Sequence, residues 1–91
     1  MVAPVDNLTR LSGTLRERQP HPDRDGWELV VLDVAEVEAV EGRADLLSRR
    51  RGETLEVAVP AATLADAVPG GPLSVRARLT PRGVVSEPHR P

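Results

Sequence analysis

The chain contains no Cys, Phe, Tyr, Ile or Lys, and a single Trp. Without Cys there is no disulfide framework and no thiolate metal site. Without the larger hydrophobic residues, a core has to come from Val and Leu with Ala as filler. No run of about 18 apolar residues occurs, so no helix is expected to span a membrane. The N-terminal Met1-Val-Ala-Pro-Val-Asp6 has neither a basic flank nor an apolar signal-like stretch, which leads to the expectation of a cytoplasmic protein. With Lys missing, all 12 basic residues are Arg. A GC-rich coding sequence suffices to explain this, given the Ala, Val, Pro and Gly that accompany it, although the guanidinium fork also suits phosphate. Fourteen acids give a net charge of −2, so the chain has no global field for polyanions.

The 91 residues have room for one small domain, 40% of it hydrophobic. Polar, proline-bearing segments at 1–7 and 87–91 read as tails around a domain at 8–86. Proline is absent from 23–59. From Leu8 to Arg18, Leu11, Gly13 and Leu15 alternate with Ser12, Thr14 and Arg16, the period of a strand with one buried face. Gly13 falls on the inward side, where a missing Cβ permits a bend or a close backbone approach. Gln19 to Gly26 is a turn-rich loop. Trp27 opens a second apolar run, Trp27-Glu-Leu-Val-Val-Leu-Asp-Val34, expected to continue as strand to about Val40. Val37, Val40, Ala44 and Leu47 also fit a helical stripe, with Gly42 against it. The reading taken is a long excursion over 41–52 with a helical turn at 43–48.

Thr54 to Val59 is a clean strand with Leu55, Val57 and Val59 inward, stopped by Pro60. Ala61 to Val68 has helix propensity, and Pro69-Gly-Gly-Pro72 ends it. Leu73, Val75, Ala77 and Leu79 alternate with Ser74, Arg76, Arg78 and Thr80, a further half-buried strand. Thr80-Pro-Arg-Gly83 has turn chemistry, and Val84-Val85 begins a last short strand.

The resulting order is β-β-β-α-β-β. Leu11-Ser-Gly13-Thr-Leu15 resembles the glycine-bearing bent first strand of single-strand DNA-binding and primosomal proteins of the OB (oligonucleotide/oligosaccharide-binding) fold. Gly71-Pro-Leu-Ser-Val-Arg-Ala-Arg78 resembles the glycine-led fourth strand of that fold, and Arg82-Gly-Val-Val85 its turn into the fifth. The resemblance covers nearly the whole chain. It implies a mainly β, five-stranded Greek-key barrel with one short helix between strands 3 and 4. An SH3-like barrel is the competing fold, and it lacks a place for residues 61–68.

Reactive chemistry is hard to find. His21 and His89 are the only histidines, each beside a proline, and no metal-ligand spacing exists. Ser12, Ser48, Ser74 and Ser86 read as outward or loop residues, none in a nucleophile elbow. Carboxylates such as Glu36 and Glu38 are expected on a solvated face, which gives no reason to read them as an acid–base pair. Asn7-Leu8-Thr9 is a formal glycosylation triplet without a secretory context. The expectation is therefore no enzyme, no cofactor and no metal.

Binding remains. The OB resemblance implies a groove across strands 2 and 3, framed by the loops at 19–26 and 80–83, which contribute Arg24 and Arg82. The excursion between strands 2 and 3 carries Arg49, Arg50 and Arg51, like the extended arm with which related proteins grip a strand. Pairing of strands 1 and 4, also implied, would bring outward Arg16 and Arg18 toward Arg76 and Arg78 as a basic stripe for phosphates. Trp27 is either a stacking platform or a cap on the core. Against this stand Glu28, Glu36, Glu38, Glu41 and Glu56, on or near the strand 2–3 face. Two readings follow: a weak, non-specific binder of single-stranded nucleic acid, or a protein-interaction module that offers the strand 2–3 surface or a free sheet edge to a partner or a second copy.

Overall fold

The computed structural model describes residues 6–87; residues 1–5 and 88–91, with His89 and most of both expected tails, lie outside the described residues. The strands are β1 (Thr9–Pro20), β2 (Trp27–Ala39), β3 (Thr54–Pro60), β4 (Pro72–Thr80) and β5 (Gly83–Ser86), and α1 (Ala61–Leu64) lies between β3 and β4. They close into a barrel in the order β1-β2-β3-β5-β4. The β3–β5 pair is parallel and the other pairings are antiparallel. This is the expected mainly β Greek-key barrel with its single short helix, and it is compatible with an OB-like architecture.

Alternation fills the barrel. Leu11 and Leu15 of β1, Val30, Leu32 and Val34 of β2, Val57 and Val59 of β3, and Val75 and Ala77 of β4 are all buried. Ser86, read from the sequence as outward or in a loop, is buried beside them. It falls on the inward side because β5 starts at Gly83 and Val84 packs on the core, so the next inward position is 86.

Two irregularities in the β1–β2 ladder redirect side chains. Ser12 pairs with Glu36 but Gly13 with Val34, which leaves Ala35 as an extra residue and lets both Val34 and Val37 reach the core. At Gly13 a Cβ would stand 1.8 Å from the Asp33 carbonyl oxygen, so the expected close approach of backbones is real and admits glycine alone. Leu15 pairs with Leu32 but Glu17 with Val31, leaving Arg16 as the extra residue. Beyond it the alternation is reversed. Glu17 and Gln19 face outward with Val31 and Leu29, while Arg18 takes the inward side.

Each end of the barrel has its own plug. At one end the β2–β3 connection folds back over the strands rather than extending as an arm. Leu47 and Leu8 are fully buried there, and Leu8 N–H donates to Ala44 O at 2.9 Å. The helical turn expected at 43–48 is a 3-10 turn at Ser48–Arg50. Asp45 fixes it, accepting from the Leu47 and Ser48 N–H groups and from the hydroxyls of Ser48 and Thr9. The Ser48 and Thr9 hydroxyls hold its carboxyl below the usual Asp range. Asn7 completes this end: its amide accepts from Leu79 N–H at 2.8 Å and donates to Leu79 O at 3.1 Å, as a further strand residue would. Its side chain is buried, so the glycosylation triplet presents no exposed acceptor.

At the other end Leu64 of α1 closes the core. The helix expected over 61–68 stops at Leu64. In a longer helix the Ala65 carbonyl would need the N–H of residue 69, and Pro69 has none. Arg18 supplies the donors instead, bonding Ala67 O at 2.6 Å and Ala65 O at 3.3 Å. No helix of the described residues is long and apolar enough to cross a membrane.

Candidate ligand-binding cleft

The two loops singled out in the sequence come together. The β1–β2 loop is closed by His21 N–H to Trp27 O at 2.9 Å, by Trp27 N–H to Arg24 O at 3.3 Å, and by Asp23 N–H to His21 Nδ1 at 3.0 Å. The β4–β5 turn is tied by Thr80, whose hydroxyl donates to Gly83 O at 2.8 Å and accepts from Arg82 N–H at 3.2 Å. Gly83 has φ +123°, a backbone that a side chain would resist, and so lets the chain reverse immediately into β5. These turns present Arg24 and Arg82 to a single cleft of about 520 Å³, within the range of ordinary ligand clefts.

The cleft has an apolar floor. Leu29 of β2 pairs with Ala58 of β3, which pairs in turn with Val85 of β5, and all three line it. One step along the same face of β3, Glu56 lines it too, opposite Val31 in the ladder. His21 and Asp23 complete the loop side. Sequence reasoning placed the two arginines and missed this floor. The alternation of Val57 and Val59 inward with Glu56 and Ala58 outward was there to be read, but the Val85 contribution needs the parallel β3–β5 pairing.

The ten residues proposed from the sequence divide. Arg24 and Arg82 line the cleft, and neither is in an ion pair among the described residues. The Arg24 guanidinium lies 3.7 Å over the ring of half-buried Trp27, so the indole backs an arginine plane instead of standing bare as a platform. Arg18 is not a surface cation. Its guanidinium holds Glu28 through Nε at 2.9 Å and a second nitrogen at 2.7 Å, besides the two α1-side carbonyls. The hydrogen bond from Arg18 holds the Glu28 carboxyl below its usual range, against the opposing effect of burial, and the same bond raises Arg18. Glu28 therefore sits at the barrel end and not, as expected, among acids on the strand 2–3 face.

The basic stripe between β1 and β4 does not form as expected. The strands do pair, but Arg76 is opposite Arg10 and the ladder ends at Thr14 and Pro72. Arg16 and Arg18 thus lie past the ladder's far end. Arg16 stands 3.6 Å from Asp33, and Arg78 stands 3.7 Å from Glu87. Arg49 and Arg50 on the 3-10 turn and Arg51 just after it are exposed and line no part of the cleft, with Arg50 paired to Glu53 at 3.1 Å. Glu36, Glu38 and Glu41 are exposed away from it as well. Among the described residues no group of three His, Asp or Glu side chains converges as a metal-ligand set. No family model matches the chain, and no curated protein or solved structure matches it.

Proposed function

We propose that the barrel is a non-catalytic binding module that holds a short segment of single-stranded nucleic acid in the cleft between the β1–β2 loop and the β4–β5 turn. The observation that carries this reading is the placement of Arg24 and Arg82, neither in an ion pair among the described residues, on opposite sides of an apolar floor. Two such cations can each take a phosphate, and the floor accepts the apolar faces of bases. The Arg24 plane stacked on Trp27 adds a sequence-tolerant surface for base stacking. With two phosphate contacts the binding is weak and salt-sensitive, with a slope of log K against log salt of about −1.4.

The test is a titration of Trp27 emission with unlabelled oligonucleotides at several salt concentrations. Quenching that weakens with salt at that slope supports the proposal, and an unchanged emission spectrum at high micromolar strand overturns it. The second reading, a protein-interaction module, has its own support: Glu36–Ala39 pair with β1 on one edge and with no named strand on the other. An edge of this kind accepts an added strand. Self-association by light scattering, together with a flat nucleic-acid titration, is the outcome that favours it.

A further inference from the structure

Glu56 is the puzzle in the cleft. It is exposed, it projects from the middle of a regular strand between the two arginine-bearing turns, and it makes no ion pair or side-chain hydrogen bond among the described residues. A free carboxylate there repels phosphate, so a site that binds only backbone has no use for it. A carboxylate is acceptor-only when ionised. It is therefore suited to the donors of a base edge, and best to an exocyclic amino group, because the ring N–H of thymine or uracil lies between two carbonyl oxygens that repel a carboxylate. Asp23 also lines the cleft, but from a bend in the loop. Glu56 stands on a strand whose neighbours Val57, Ala58 and Val59 are all buried, which fixes its position far better.

We infer that Glu56 is a specificity-determining residue that accepts a hydrogen bond from the amino group of a base lying on the Leu29–Ala58–Val85 floor. This inference rests on the nucleic-acid reading above. The cleft then favours bases with an exocyclic amine, cytosine, adenine and guanine, over thymine and uracil. Thymine presents a carbonyl where cytosine presents its amine, and two oxygens facing each other repel. Arg24 and Arg82 hold the backbone without regard to sequence, and Glu56 reads the base.

The experiment compares fluorescein-labelled dC8 and dT8 by anisotropy at low salt, with wild type, E56Q and E17Q. Both strands are pyrimidine homopolymers of one length. Besides the C4 amine or carbonyl and the N3 site they differ by the thymine methyl, which an apolar floor favours and which therefore works against the expected preference in wild type and E56Q alike. Wild type should bind dC8 about fivefold more tightly than dT8, the low end for a solvent-accessible base contact. In E56Q the carboxamide offers a donor as well as an acceptor, so the preference should fall to less than about twofold, with dT8 binding improved. Glu17 is exposed in the same row, opposite Val31, but does not line the cleft. E17Q removes the same charge and should strengthen both strands alike, leaving the preference intact. Equal binding of dC8 and dT8 by wild type, or a preference that survives E56Q, overturns the inference and leaves the function standing. Failure of both strands to bind overturns the two together.

Discussion

Arg18, just before the β1–β2 loop, and Arg24, within it, do opposite things. Arg18, at the barrel end closed by α1, gives its donors to Glu28 and to two backbone carbonyls, and both partner carboxylate and guanidinium are largely buried. Arg24, in the cleft, rests on an indole and makes no ion pair among the described residues. The residue type is identical; what differs is whether the surrounding structure has orphan acceptors to satisfy. A shortened helix leaves carbonyls that must be paired, so the nearby cation becomes part of the fold. The cleft floor is apolar and makes no such demand, so its cations stay available to a ligand.

The largest effect comes from disturbing the scaffold common to both regions. Gly13→Ala drives a Cβ into the Asp33 carbonyl across the β1–β2 ladder. It should cost about 3 kcal/mol or more, read as a fall in the urea midpoint, because backbone on both strands has to move. Arg18→Ala attacks one side only. It strands Glu28 and the Ala65 and Ala67 carbonyls, and should cost about 2–3 kcal/mol in the same assay. Arg18→Lys should recover little, since an ammonium cannot reproduce the two-point grip on Glu28. If Arg18→Ala unfolds no more easily than wild type, Arg18 is not a structural cation.

Acid acts on the Arg18 end through Glu28. The folded-state pKa of Glu28 is depressed, so its stabilising contribution is complete above the unfolded value, about 4.3, and is lost as pH falls through the lower folded value. Asp45 behaves in the same sense. Stability measured by urea should therefore decline below about pH 4, and Glu28→Gln should flatten part of that decline while being less stable at neutral pH. The smallest stability effect belongs to the cleft. Arg82→Ala should alter unfolding by less than about 0.5 kcal/mol. In nucleic-acid titrations it should reduce the salt slope by about 0.7, and Arg24→Ala should do likewise while also shifting Trp27 emission.

Much of this molecule is legible in its residues, because alternation is a local property. A side chain on a strand faces in or out by parity, so Leu55, Val57, Val59, Val75 and Ala77 assign themselves to the core. Proline and glycine mark the turns that carry Arg24 and Arg82, and a missing Cβ at Gly13 announces close strands. The strand order and the helix between β3 and β4 follow from the same pattern with the OB resemblance added.

What alternation cannot carry is any effect of one strand's extra residue on its partner. The bulge at Arg16 reverses the parity of everything up to Pro20, and so turns Arg18 from an expected phosphate contact into a structural cation. The antiparallel register of β1 and β4 likewise sets Arg76 against Arg10, a pairing that depends on where two distant segments begin their ladder. The chain's composition and periodicity determined a Val and Leu barrel with arginines in its loops. Tertiary structure alone decided that Arg18 became a structural cation, because that depends on where carbonyls and carboxylates in need of a donor end up once the strands close.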